Sequence, residues 1–114
     1  MIHFSIAEFD CPDCGKNNMD ELFLEMLDVA RNIAGVPFVI NSGCRCHKHN
    51  REVGGSEGSS HLSGNAADIS CSNSTDRIKI VRACIQAGFN RIGVGSIFIH
   101  VDNSMDKNEA MWKY

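Results

Sequence analysis

Two histidines and a carboxylate stand in strongly patterned surroundings. His61 and Asp68 belong to the run Ser59-Ser60-His61-Leu62-Ser63-Gly64-Asn65-Ala66-Ala67-Asp68, and His100 to the later run Phe98-Ile99-His100-Val101-Asp102. Imidazole nitrogens and a carboxylate oxygen are donors that zinc accepts. Three of them leave a fourth position for water, which separates a working zinc from a structural one closed by four protein ligands. One carboxylate and two neutral imidazoles leave net positive charge on the ion, which lowers the pKa of bound water toward about 7 and supplies hydroxide at neutral pH.

Such a site needs elements that bring distant residues together. Side chains alternate along a strand, so Phe98, His100 and Asp102 share one face, and Ile99 and Val101 the other. By the same rule Asp68 projects with Ala66 and Ser70. If the two strands are neighbours, Asp68 and His100 lie across from each other. His61 comes from the loop before Asp68, where Gly64 permits a tight turn and the small Ala66 and Ala67 leave room for close approach. Taken singly, a strand histidine is more often a hydrogen-bonded core residue, and a strand-closing Asp a turn former. The joint arrangement is what points to metal.

Around these runs the chain reads as follows. Ser5-Ile6-Ala7-Glu8 has the form of a capping box and predicts a short helical turn before the loop at 11–18. Met19, Leu22, Phe23, Met26, Leu27, Ala30 and Ile33 recur at helical steps, with Gly35 and Pro37 closing the segment. This Met-rich stripe is core packing. A strand is expected at 38–40, then an irregular stretch at 42–65 that holds five of the ten glycines and, at that length, marks a functional loop. Residues 66–72 read as a strand. Ser74, Thr75 and Asp76 start a helix whose apolar face is Ile78, Val81, Cys84, Ile85 and Phe89, ending near Gly88. Residues 91–94 and 98–101 form a hairpin about Gly95-Ser96, and 110–114 is an edge strand or an ordered tail. The expected fold is α+β, a small antiparallel sheet with flanking helices.

Composition narrows the function. A chain of 114 residues with 43% hydrophobic content suits a single domain, 1–114. A net charge of −3 with scattered Lys and Arg leaves no basic stripe, so nucleic acid is not an expected partner. No apolar run is long enough to span a membrane, and the start Met1-Ile2-His3-Phe4-Ser5 lacks the form of a signal peptide. Synthesis in the cytoplasm and a monomer are expected. Without an export signal the six cysteines default to reduced thiols. Cys11-Pro12-Asp13-Cys14 with Cys44-Arg45-Cys46 offers an alternative, a four-thiolate structural zinc. Cys71 and Cys84 read as small buried hydrophobes.

Five blocks occur in order: Asn41-Ser42-Gly43-Cys44-Arg45-Cys46; His49-Asn50 with Val53-Gly54-Gly55; Ser59-x-His61-x-x-Gly64-x-Ala66-x-Asp68-Ile69; Gly88-Phe89-Asn90-Arg91-Ile92-Gly93; and Phe98-Ile99-His100-Val101-Asp102. Together they resemble the zinc D-alanyl-D-alanine carboxypeptidase family, which is similar in fold and metal site to bacterial and phage L-alanyl-D-glutamate endopeptidases and to the hedgehog zinc domain. The resemblance spans nearly the whole chain. It implies zinc on His61, Asp68 and His100, with Arg45 binding a substrate carboxylate or polarising the scissile carbonyl, a task suited to its planar donors. It further implies a zinc peptidase acting on peptidoglycan stem peptides at the bacterial cell wall, as a D-alanyl-D-alanine carboxypeptidase first and an L-alanyl-D-glutamate endopeptidase as the alternative; the want of a signal peptide suits release during phage lysis. Ser59 and Asn50 are expected to shape the loop through local backbone bonds. One position departs from the pattern. Relatives carry the water-activating Glu, Asp or His three residues before the last histidine ligand, and this chain has Ile97 there. Asp102 is the candidate for base or for orienting His100, with the orienting role favoured, while His49 and Glu57 are loop groups within swinging distance. A zinc-stabilised binding module without catalysis is the alternative that Ile97 supports.

Overall fold

In the computed structural model, which describes residues 3–56 and 58–114, three helices and five strands follow one another along the chain. They are α1 (Glu21–Ala34), β1 (Ile40–Ser42), α2 (His47–Glu52), β2 (Ala66–Ser70), α3 (Ser74–Gln86), β3 (Arg91–Val94), β4 (Phe98–Asp102) and β5 (Ala110–Lys113). A 3-10 turn at Ile6–Phe9 precedes them. There the Glu8 carboxylate accepts the Ser5 backbone N–H at 2.6 Å, the reach-back of a capping box.

Each long helix begins on a side-chain cap. Asp20 accepts the Phe23 N–H at 2.9 Å, and Asn73 accepts the Asp76 N–H at 2.8 Å, so α3 begins at Ser74 as expected, on an Asn73 cap. Gly35 ends α1 in the left-handed region (φ 69°) that favours glycine. Helix α1 buries Phe23, Leu27 and Ala30 of its expected stripe and adds Leu24, which the stripe omitted, while Leu22 and Ile33 at the stripe's edges are exposed. Helix α3 departs from expectation. It buries Ile80, Ala83 and Cys84, whereas Ile78 and Ile85 are exposed. Its apolar residues encircle more than one face, and packing against α1 selects the stripe in which small Ala83 permits close approach.

The sheet has the order β1-β2-β4-β3-β5. All pairings are antiparallel except β3 with β5, so the sheet is mixed, with β5 returning as a parallel edge strand. The first strand begins at Ile40 rather than at 38; Phe38 instead packs its ring near Phe4. Within 42–65 the polar hexapeptide His47–Glu52 is helical, which corrects the expectation of an irregular loop there. It carries no apolar period that would reveal it.

The two faces of the sheet differ completely. Ala67, Ile69, Ile92, Ile99 and Val101 are buried with the α1 and α3 stripes in one core, so alternation sends Asp68, His100, Asp102 and Arg91 to the other face. Ala67 therefore packs the core, and Ala66 alone of the alanine pair shares the face of Asp68. Helices α1 and α3 cover the apolar side and leave the polar side to the segment 42–65, α2 included.

Candidate metal centre

One row of the sheet carries the site. Asp68 pairs with His100 across β2 and β4, His100 with Gly93 across β4 and β3, and Gly93 with Trp112 across β3 and β5. At the other end Ser42 of β1 pairs with Asp68. His61 descends on this row from the loop. The Gly64 turn that returns the chain to β2 has φ 80°, and a Cβ there would lie 2.1 Å from the Asn18 carbonyl oxygen, so only glycine fits. The donor atoms of His61, Asp68 and His100 all lie within 4.8 Å of one another. Asp68 Oδ1 stands between the rings, 3.3 Å from His61 Nε2 and 3.0 Å from His100 Nδ1.

The far side of each ring is held. His61 Nδ1 lies 2.7 Å from the Gly43 carbonyl, which can only accept, so Nδ1 carries the proton and Nε2 is left as a donor lone pair toward Asp68. His100 Nε2 lies 2.7 Å from Asp102 Oδ2, which leaves Nδ1 facing the cluster. Asp102 is itself fully engaged: Oδ1 accepts Arg91 Nε at 2.9 Å and the Ser104 N–H at 3.2 Å, and the residue is 1% exposed. A carboxylate so enclosed orients a ring rather than visiting a substrate. Two imidazoles fixed through their outer nitrogens, with a carboxylate oxygen between their inner ones, fit a divalent ion.

Electrostatics follow from this enclosure. Burial pushes the Asp68 carboxyl up, but hydrogen bonds and charge from His100 and His61 outweigh it and hold the group well below the ordinary carboxylate range. Burial lowers the His100 pKa, and the hydrogen bonds and charges of Asp102 and Asp68 more than reverse this, so it is raised. Asp102 is likewise depressed, by His100, the Ser104 amide and Arg91 acting against burial.

Arg45 closes the rim. Its Nη2 is 3.2 Å from Asp68 Oδ2, its Nε 3.1 Å from Ser42 Oγ and its Nη1 3.2 Å from Asn50 Oδ1. Asn50, buried, also donates to the Ser56 carbonyl at 2.8 Å, so it shapes the loop as expected and fixes the guanidinium as well. Ser59 Oγ accepts the His61 N–H at 3.2 Å, a local bond of the kind expected. Arg45 also lines a cleft of about 450 Å3 whose walls include Asn17, Asn18, His47 and Leu62 with Cys14, Cys44 and Cys46, and which His61, Asp68 and His100 do not line.

Other expected groups fall elsewhere. Ile97 sits in the β3–β4 turn, 63% exposed. Glu57 lies outside the described residues. His49 pairs loosely with Glu52, 4.0 Å away, on α2. The four cysteines do not converge as a set: Cys11, Cys14 and Cys46 group together, while the Cys44 thiol turns to Asn18 Oδ1 at 2.7 Å.

Two aromatic residues absent from the sequence-derived site border it. The Trp112 ring is 5.5 Å from that of His100 and lies 5.0 Å from the Arg91 guanidinium. It reaches across because Gly93 has no side chain; a Cβ there would stand 2.5 Å from Trp112 Nε1. Tyr114 follows, its ring centroid 6.4 Å from that of Trp112, close enough to Asp68, Arg45 and Asp102 to feel their charges. Burial and the two carboxylates raise its phenol pKa against the opposing pull of Trp112 and Arg45. The aromatic sequence Trp112-Lys113-Tyr114 was the available signal, but only the parallel register of β5 places it here.

No curated protein sequence matches the chain. The family comparison is decisive at a coarser level. The model of the family described as Peptidase M15 matches residues 2–102, a span that includes every one of the clustered donors and Arg45 and stops short of β5. M15 peptidases are zinc-dependent and act on peptidoglycan-type peptides, and this chain belongs to the Peptidase M15 family.

Proposed function

We propose that the protein is a zinc carboxypeptidase that removes the terminal residue from D-alanyl-D-alanine stem peptides, with the ion held by His61 Nε2, Asp68 and His100 Nδ1. When bound, zinc supplies Lewis-acid activation of water at neutral pH. The observation that supports an exopeptidase is Arg45: a guanidinium 3.2 Å from the central carboxylate that also borders a cleft of about 450 Å3. Three contacts fix its plane, and its remaining N–H groups are free to hold a terminal carboxylate one residue beyond the scissile carbonyl.

The rest of the chemistry belongs to the chain. Gly43 and Asp102 hold the rings in the tautomers that leave donor nitrogens inward, and Arg91 and Ser104 keep Asp102 ionised. Ile97 carries no proton, so the leaving amine takes its proton elsewhere. In this reading the donor is the Tyr114 phenol, which its surroundings keep protonated and which neighbours Asp68 and Arg45. The trio of Trp112, Tyr114 and Phe98, with ring centroids 4.8 Å apart for the last pair, forms an apolar wall suited to the methyl groups of alanine. Synthesis in the cytoplasm and release to the cell wall by phage lysis belong to the same proposal.

Purified protein incubated with a D-Ala-D-Ala-terminated pentapeptide should release D-Ala with zinc and none after chelation. Release of a fragment from an L-alanyl-D-glutamate bond instead would reassign the scissile bond to the endopeptidase alternative. The exposed Ile97 favours a second reading, a zinc-bearing module that binds stem peptide without turnover. Saturable, zinc-dependent binding with no product would select it.

A further inference from the structure

Cys11, Cys14 and Cys46 bring their sulfurs within 4.8 Å of one another on the side of the molecule where the N-terminal loop meets α2. All are free thiols, although they come from two chain segments 32 residues apart at their nearest, Cys14 and Cys46. We propose that they bind a structural zinc ion through three thiolates.

The backbone is arranged for sulfur that carries charge. Cys11-Pro12-Asp13-Cys14-Gly15-Lys16 folds into a tight knuckle in which the Gly15 N–H meets the Cys11 carbonyl at 2.8 Å, and the Cys11 N–H meets the Lys16 carbonyl at 2.9 Å. Gly15 makes the turn at φ 72°. The Cys46 N–H reaches Cys11 Sγ at 3.4 Å, which ties the knuckle to the start of α2. Cys46 Sγ in turn accepts the His49 N–H at 3.4 Å. A neutral thiol is a weak acceptor and needs no such set of donors; a metal-bound thiolate does. Three converging thiolates with oriented amides suit a borderline-soft, tetrahedral ion, and zinc is the common one. The fourth sulfur of the sequence pattern is not included, because Cys44 is buried and bonded to Asn18. Asp13 Oδ2, which accepts from the Cys46 thiol at 3.3 Å, is an oxygen at hand for the remaining position.

The site does not depend on the His61–Asp68–His100 reading. It would tie the loop at 11–16 to the start of α2, and so hold the segment that presents Arg45.

Cobalt(II) titration of the reduced protein under anaerobic conditions tests it, because sulfur-to-cobalt charge transfer reports thiolate ligation and imidazole or carboxylate ligands give none. The band should appear in the parent and in a His61→Ala/His100→Ala variant and vanish in Cys14→Ser. A band that survives Cys14→Ser overturns the proposal, as does its absence from the parent. Since variants can misfold, the parent alone supplies a second readout. Cys14 is exposed, so an alkylating reagent reaches it freely without metal. Stoichiometric zinc should slow its modification by about tenfold or more, and chelation should restore the rate. An unchanged rate, or a Cys11–Cys14 disulfide in protein kept reduced, would end the idea.

Discussion

The two donor clusters solve the same problem with different materials. On the sheet, Asp68 and His100 stand opposite each other on adjacent strands, and each donor is turned inward by another group: Gly43 behind His61, Asp102 behind His100, Arg45 beside Asp68. In the thiol cluster the orienting groups are backbone amides at the start of α2. Side chains that orient side chains can be tuned, as Arg91 and Ser104 tune Asp102. Amides that point at sulfur neutralise charge and tie chain segments together, while Cys14 and Cys46 still line the cleft that Arg45 borders. The first arrangement suits chemistry and the second suits holding chain segments together.

Removing a sheet donor should break this division most sharply. His61→Ala deletes one of three ligands, and the loss of Lewis-acid activation should lower D-Ala release by at least about 10^3-fold, equivalent to roughly 4 kcal/mol. Elemental analysis of the same variant should still find zinc on the thiols. A variant that kept full chelator-sensitive hydrolysis would show that the ion sits elsewhere.

Arg45→Lys tests the rim. An ammonium retains the charge but not the fork that engages Ser42, Asn50 and Asp68 together. We expect kcat/KM to fall by about 100-fold, mostly through KM, since the contact is made to substrate in the ground state as well. A loss confined to kcat would move Arg45 from anchoring to stabilising the developing oxyanion.

How these residues were found differs between regions. The period-two alternation of 66–70 and 98–102 requires Asp68, His100 and Asp102 to share a face, and burial of Ala67, Ile69, Ile99 and Val101 enforces the register; that part was legible because one sheet face must be dry. The helix α1 stripe was legible for the same reason. Helix α2 was not, since six polar residues have no hydrophobic period and its cap is a cysteine. The Gly43 carbonyl that fixes His61 leaves no trace in residue type. Trp112 and Tyr114 could not be placed because a parallel edge strand is positioned by long-range pairing with β3, which no local turn specifies. Four cysteines suggested four ligands. The chain at 44–46 is not part of a strand, so spacing by two does not put Cys44 beside Cys46.

Asp102→Asn sharpens the role of the orienting layer. The amide keeps the shape but removes the charge that holds His100 and Arg91, and it can present its NH2 to His100 Nε2 in place of an acceptor. Zinc affinity at the sheet site should weaken by about 10–100-fold, as isothermal titration would show, with the thiol site unaffected. A full loss of hydrolysis at saturating zinc would instead give Asp102 a direct part in proton transfer.

The pH dependence of metal uptake gives the finest separation between the two clusters. In the metal-free protein the raised His100 pKa stabilises the fold below the unfolded value of about 6.5, and that contribution is lost as pH climbs through the raised value. Asp68 and Asp102 act oppositely: their depressed values stabilise above about 3.9, and the contribution disappears as pH falls through them. The melting temperature of the apo protein should therefore be highest between these limits and fall toward alkaline pH. Zinc reverses the upper trend, because the ion can take His100 Nδ1 only after its proton leaves. Affinity at the sheet site, measured in a Cys14→Ser background, should rise about tenfold per pH unit below the His100 value and then level off, with one proton released per ion. Three thiols give up more protons than one imidazole, so the thiol site, measured in His61→Ala/His100→Ala, should show the steeper slope. Equal slopes would mean that both variants report on the same site, and the distinction between a mixed-donor centre on the sheet and a thiolate one at the knuckle would fail.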